Sequence, residues 1–330
     1  MAETLSRRRA ICILAAAGGL SLLPWREAAL ATPSPVMWNG QALGAPASLV
    51  LHHPDRRRAE KVITHVVAEV SRLEAIFSLY RENSALSELN RLGGLAMPPE
   101  ELVAVLDASR AAWEATGGLF DPTVQPLWSL YARHFGRPDA DPSGPAAAQI
   151  EKAKELVGLQ NVYVNRDRIA FAKSGMALTL NGIAQGYITD RIVALLRDAG
   201  ITSSLVDMGE SRAIGNRADG SPWRVGLAQI QGDDVDTVIP IVDKAVATSS
   251  LMGFRFDAAG RFGHILHPMR GRVEPQYRRL TVVTTEATRA DAYSTAMTLM
   301  SPDGIKTAVA RQSGLSVDLV TVSGQHLRFG

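Results

Sequence analysis

Cysteine is almost missing from this 330-residue chain: Cys12 is its only one. That excludes a disulfide framework and a Cys-ligated zinc site. An excess of charge is missing too. Thirty-five Lys and Arg face 33 Asp and Glu, a formal charge of +2. Residues 1–31 carry that excess, and the rest of the chain holds 31 charges of each sign. A balanced chain has no electrostatic footprint for a phosphate backbone, which argues against nucleic-acid binding. Beyond the first 31 residues no run is long and apolar enough to read as a membrane helix, so no stable membrane insertion is expected after cleavage. The whole chain is 46% hydrophobic and 21% charged, the composition of a globular protein.

The N-terminus reads as an address. Ser6-Arg7-Arg8-Arg9 precedes an uncharged stretch from Ala10 to Leu23, and Ala29-Leu30-Ala31 is a small-x-small cleavage site. This three-part layout predicts a secretory signal over residues 1–31, followed by one domain over 32–330. Paired arginines before a weakly apolar core point to twin-arginine export, with an ordinary Sec signal as the alternative. The cleaved chain has no cysteine, which suits an oxidising periplasm.

Strands and helices do not alternate regularly along the rest, so the expected class is α+β, with antiparallel or mixed sheets flanked by helices. Helices are predicted over Glu60–Leu79, from Ser84, over Pro98–Thr116, Gln149–Val157, Ile183–Ala199, Asp291–Met300 and Lys306–Gln312. Gly136–Ala148 reads as a surface loop. Strands are predicted at Ser48–Leu51, in a hairpin around Asn165-Arg166-Asp167, and at Ser204–Asp207, Trp223–Ala228, Thr237–Val242, Ala245–Thr248, Arg279–Thr284 and Ser316–Val322.

Four segments could carry chemistry. Gly117-Gly118-Leu119-Phe120-Asp121-Pro122 would let backbone approach a ligand, or is a helix cap followed by a turn. Asn181-Gly182-Ile183-Ala184-Gln185-Gly186-Tyr187 opens a helix, where free N–H groups suit phosphate and Gly182 and Gly186 would let phosphates or a metal near the main chain, or it is a packed helix start with small residues. It lacks the GxGxxG fingerprint of nicotinamide-binding folds. Asp291 and Thr295 stand four apart, so one helix face would present two hard oxygen ligands to Mg²⁺, unless Asp291 is a cap and Thr295 is buried. His264-Ile265-Leu266-His267-Pro268 holds two histidines that do not match a zinc helix motif; either could be structural or an acid–base group.

Taken in order, these segments resemble the ApbE family of FAD:protein FMN transferases, from about Ala42 to Gly314. The carrying residues are Ala42-Leu43-Gly44-Ala45, Phe77-Ser78-Leu79-Tyr80 with Ser84-Ala85-Leu86-Ser87-Glu88-Leu89-Asn90, Gly118 to Leu127, Leu180 to Tyr187, Val246-Ala247-Thr248-Ser249, His264 to Pro268 and Ala290 to Ala296. The leader makes the exported NosX-type branch, linked to nitrous oxide respiration, the nearest likeness. The resemblance implies a two-lobed, T-fold-related architecture and Mg²⁺-dependent transfer of FMN from FAD to a Thr or Ser of a target protein, with release of AMP; the exported branch implies a NosR-like acceptor. It implies that Gly182, Asp291 and Thr295 hold Mg²⁺. It implies that Leu43, Tyr80, Leu119, Phe120, Asp121, Thr179, Gln185, Thr248 and Ser249 line the FAD site, and that His264 and Asp291 serve catalysis.

The chain departs from the family pattern at four places. Thr179 stands for an Asp, Gln185 for a Lys, Asp207-Met208-Gly209-Glu210-Ser211 for Asn-Leu-Gly-Gly-Asp, and His267 for an Asp. These departures leave open a periplasmic FAD-binding or flavin-donor protein with little catalysis, and an FAD pyrophosphatase. A solute-binding protein is a more distant reading.

Overall fold

The computed structural model describes residues 34–228, 235–251 and 253–330. The expected signal segment lies outside them.

The chain enters as a hairpin, β1 (Val36–Ala42) and β2 (Ala45–Leu51). Helix α1 (Arg56–Phe77) follows, with the Asp55 carboxylate accepting from the Arg58 N–H as N-cap. Such a cap contributes about 1 kcal/mol. Val62, Val66, Val70 and Leu73 recur at helical spacing and are buried, so the predicted amphipathic face is the one that packs. Helix α2 (Ala85–Leu92) is capped by Ser84, whose Oγ accepts from the Ser87 N–H. After β3 (Gly94–Ala96) comes α3 (Glu100–Ala115), then α4 (Gln125–Phe135) and α5 (Ala147–Lys154). Strands β4 (Val162–Val164) and β5 (Arg168–Phe171) form the expected small hairpin and pair with β3.

Helix α6 (Ala184–Asp198) leads to β6 (Ser204–Asp207), β7 (Ser211–Ile214), β8 (Trp223–Leu227), β9 (Thr237–Ile241), β10 (Ala245–Ser249) and β11 (Tyr277–Thr284). Helices α7 (Ala287–Met297) and α8 (Pro302–Ala310) and strands β12 (Ser316–Thr321) and β13 (His326–Phe329) complete the chain.

The main sheet runs β1-β2-β6-β7-β10-β11-β12-β13, and each neighbouring pair is antiparallel. This is the α+β architecture that the sequence suggests. Alternation along β11 shows how the sheet is covered. Leu280 and Val282 join the large core shared with α1, α6 and α7, whereas Val283 packs with Trp223 and Val225 of the β8–β9 hairpin. Both faces are therefore buried there. Among the described residues no helix is long and apolar enough to cross a membrane.

Differences from the sequence reading are local. Helix α7 begins four residues before the expected Asp291, because Glu286 rather than Asp291 ends the preceding strand turn. Helix α4 was unforeseen; Pro126 sits in its first turn, where a missing N–H costs nothing. The edge strands β1 and β13 and the short β7 also lay outside the expectation. Small residues such as Gly40, Ala42 and Ala213 dilute β1 and β7, and β13 is four residues long with no β-branched side chain, so little marks them as strands.

Helices α6 and α7 touch most closely at Gly186. A Cβ there would lie 2.3 Å from the Ala287 carbonyl oxygen, a backbone atom that cannot step aside. We expect Gly186→Ala to destabilise the fold by about 1–3 kcal/mol and Gly186→Val by more. A thermal melt of purified protein checks this; an unchanged Tm for both would contradict the close crossing.

Candidate active site

The N-terminal end of α6 and one face of α7 meet at one side of an open cleft. Gly182 faces α7 directly, since a Cβ there would lie 2.8 Å from Thr295 Oγ1. One turn on, the Gly186 N–H donates to Asp291 Oδ2 at 3.1 Å. Asp291 and Thr295 thus lie on one face, as their spacing predicts, and that face meets the start of α6. Asp291 does not cap its own helix. It caps its neighbour.

The contact between the helices is clamped from outside. Asp190, one turn beyond Gly186 on α6, accepts from the N–H groups of Ala287 and Thr288 at 2.8 Å each. Its Oδ2 also accepts from Thr288 Oγ1 at 2.6 Å, and Arg212 of β7 pairs with Oδ1 at 2.5 Å. A carboxylate at a helix N-terminus is favourable for the α7 dipole.

Asp291 is 3% exposed and Glu210, from the β6–β7 turn, is 7% exposed. Burial, partly offset by the Gly186 N–H and reinforced by Asp190, pushes the Asp291 carboxyl up to about 7. Burial first, then the charges of Asp291 and Asp207, holds Glu210 well above the usual carboxylate range. Glu210 Oε2 accepts from the Thr248 N–H at 3.3 Å, and the Glu210 carbonyl accepts from Thr189 Oγ1 at 2.8 Å. Among the described residues no Lys or Arg side chain pairs with Asp207, Glu210 or Asp291. Buried negative charge without a counter-charge is costly. A cation bound there, or protons on the carboxyls, would offset that cost.

No group of three or more His, Cys, Asp or Glu among the described residues is arranged to hold a metal. The donor set at this spot is of another kind: the Asp291 carboxylate, the Thr295 hydroxyl and the Gly182 main chain. Such hard oxygens suit Mg²⁺, which takes few protein ligands and keeps water or phosphate oxygens for the rest. Ser249 Oγ lies 2.7 Å from Ser294 Oγ and 3.5 Å from Thr295 Oγ1, fixing the hydroxyls on β10 and α7 against each other.

The cleft gathers Leu119, Phe120, Asp121, Thr179, Gly182 and Gln185 with Thr248, Ser249, His264, Asp291 and Thr295. Leu43 and Tyr80 do not line it. Leu43 is buried with φ +50°, its N–H bound to Glu74 Oε1 at 2.6 Å, and Tyr80 is 58% exposed. Asp121 lines the cleft, but its oxygens are engaged inside the protein. Oδ1 accepts from the Thr123 N–H and hydroxyl, and Oδ2 from the Leu159 N–H, while burial raises its pKa. Its carboxylate is a brace for the 122–124 turn. Gln185 folds over Gly209, where a Cβ would meet its Nε2 at 2.3 Å; Gly209 has φ +104°.

His264 is half-buried, and its Nδ1 lies 2.9 Å from the Phe254 carbonyl. That carbonyl can only accept, so Nδ1 carries the proton and Nε2 keeps a lone pair. Burial lowers the His264 pKa, which keeps the ring neutral at pH 7. His267 is buried and bonded locally, its Nδ1 accepting from the Met269 N–H in a turn closed by Gly271; it does not line the cleft. Sequence reasoning placed Glu210 only as a departure in a turn, and it passed over Trp128 and Asp190. The Gly209-Glu210 pair after a strand was the one available signal for Glu210.

The sequence pattern of the ApbE family matches residues 43–318. A relative from Salmonella typhimurium, called FAD:protein FMN transferase, is 27% identical over 96% of this chain and 93% of its own. One of the same name from Escherichia coli K12 is 26% identical over 83% of this chain and 80% of its own. Among solved structures, an apbE protein from Thermotoga maritima superposes with a TM-score of 0.79 at 27% identity, covering 90% of this chain and 97% of that one. The apo flavinyl transferase ApbE of Pseudomonas stutzeri gives 0.77 at 25%, covering 91% and 97%.

The raised carboxyl pKa of Asp291 has a stability consequence in metal-free protein. The folded state binds its proton more tightly than the unfolded state, so this group's contribution falls as pH rises from about 4 to about 7. Above that window the penalty is complete. In chelator, Asp291→Asn should therefore raise Tm clearly more at pH 8 than at pH 5. Equal effects at both pH values would refute the uncompensated charge.

Proposed function

Because the chain belongs to the ApbE family, we propose that it is an FAD:protein FMN transferase that moves FMN from FAD to a Thr or Ser hydroxyl of another protein and releases AMP. The observation that carries this reading is the buried Asp291 carboxylate at the start of α6, beside Thr295 and Gly182, without a cationic partner among the described residues. A diphosphate approaching the α6 start meets a carboxylate already bound to the Gly186 N–H. Direct phosphate binding at that helix end, the simplest sequence expectation, is thereby opposed. A divalent cation held here would resolve the conflict by neutralising both.

Asp291, Thr295 and the Gly182 carbonyl would hold Mg²⁺. When bound, the ion supplies charge neutralisation at the diphosphate and at the leaving phosphate oxygen. The chain's own groups do the rest. Neutral His264 accepts at Nε2 the proton of the incoming hydroxyl, whose oxygen bonds to the FMN phosphorus. The bond from that phosphorus to the bridging oxygen breaks, and AMP departs with the oxygen. Thr248 and Ser249 offer hydroxyls on the cleft wall, and Leu119 and Phe120 give it an apolar lining.

The paired arginines of the leader support export by the twin-arginine route and action in the periplasm. The acceptor would then be an exported or membrane-bound electron-transfer protein, of the NosR kind if the exported likeness holds.

Two experiments test this. The cleaved protein is incubated with FAD, Mg²⁺ and a NosR-type acceptor domain, and in-gel flavin fluorescence is read. The acceptor band should fluoresce, and it should vanish with chelator and fall at least a hundredfold in Asp291→Ala. Tight FAD binding without any label would favour a flavin-binding protein instead, and FMN release without acceptor a pyrophosphatase. For the address, Arg7→Lys with Arg8→Lys should leave the precursor in the cytoplasm on fractionation. Unimpaired export of that double variant would point to the Sec route.

A further inference from the structure

We propose that Trp128 is the stacking platform for the adenine ring of the dinucleotide; this rests on the transferase reading above. Trp128 lies on α4 and lines the cleft. Its ring is fixed from behind by two others. Phe254 stacks on it with centroids 6.4 Å apart and planes at 24°, and Phe256 meets it edge-on at 5.2 Å and 66°. Phe256 in turn stacks on buried Tyr131 at 5.8 Å, so the indole is held by a packed aromatic cluster. Trp128 is partly buried but not sealed, and its Nε1–H has no partner among the described residues.

The cleft offers few alternatives for a ring. Its other aromatic carbocycle, Phe120, is 4% exposed, and Tyr80 stands outside. Trp128 is flanked on the cleft wall by Val124, Leu266 and Pro268, an apolar surface with one rigid flat face. FAD carries two flat rings, and the direction of transfer says which one belongs here. FMN must leave joined to another protein, so its ring has to reach the acceptor. Adenosine departs alone, and only that half can be gripped by the enzyme's own wall without obstructing the acceptor. Stacking needs no edge-specific partners, which fits a wall of Val, Leu, Pro and Trp.

The test uses cleaved full-length protein with Mg²⁺, and ADP and FMN as separate probes, with Trp128→Leu and Trp128→Phe. Trp128→Leu should weaken ADP and FAD binding about tenfold and leave FMN binding within twofold, whereas Trp128→Phe should keep most of the ADP affinity. In the NMR spectrum of bound ADP, the adenine H2 and H8 resonances should move upfield by ring current with the wild type and not with Trp128→Leu. Loss of FMN binding rather than ADP binding, or unchanged ADP affinity and shifts in Trp128→Leu, would overturn the assignment while leaving the transferase intact. If the wild type binds FAD, ADP and FMN not at all, the transferase reading fails and this inference with it.

Discussion

One hydrogen bond governs the site. The Gly186 N–H donates to the Asp291 carboxylate, and that contact decides what the start of α6 can accept. A helix N-terminus left open would attract phosphate by itself. Here a carboxylate has taken the place, beside a second buried acid, Glu210. The local preference for an anion is thereby weakened. Everything else at the contact serves that arrangement. Gly182 and Gly186 permit the approach of the helices, Asp190 with Arg212 secures the N-terminus of α7, and the Ser249–Ser294 pair ties α7 to β10.

Much of this was readable before any coordinates. The i, i+4 spacing of Asp291 and Thr295 put them on one face whatever the fold, and the ordered segments pointed to most of the cleft lining, although Leu43, Tyr80 and His267 fall outside it. Periodicity located α1 and α6 because their buried faces are continuous. It missed α4, whose Pro126 reads as a breaker, and β1, whose alternation is masked by Gly40 and polar neighbours. Spacing also could not say that Asp291 would bond to a different helix, because that depends on how closely α6 and α7 pack. The charge state of Glu210 was hidden for the same reason. A carboxylate in a turn looks solvated until the strands on either side bury it.

The departures from the family pattern acquire physical meaning in the fold. Gln185 is neutral, yet it is packed over Gly209 and contributes an amide to the cleft wall. Thr179 donates its N–H to the Pro122 carbonyl at 2.8 Å, joining the two segments that form one side of the cleft. His267 holds a local turn away from the reacting groups. None of the three removes a donor from the Asp291–Thr295–Gly182 set.

The strand order carries a different lesson, about assembly in time. Leu51 of β2 pairs with Ser204 of β6, so the N-terminal hairpin waits for a partner made some one hundred and fifty residues later. Such distant pairing makes closure of the sheet slow relative to formation of the helices. A nascent chain interrupted before β6 would keep one edge of β2 unpaired, with its ladder groups open to any other strand nearby. For this molecule, escape from aggregation during synthesis depends on how soon the second half of the sheet is delivered.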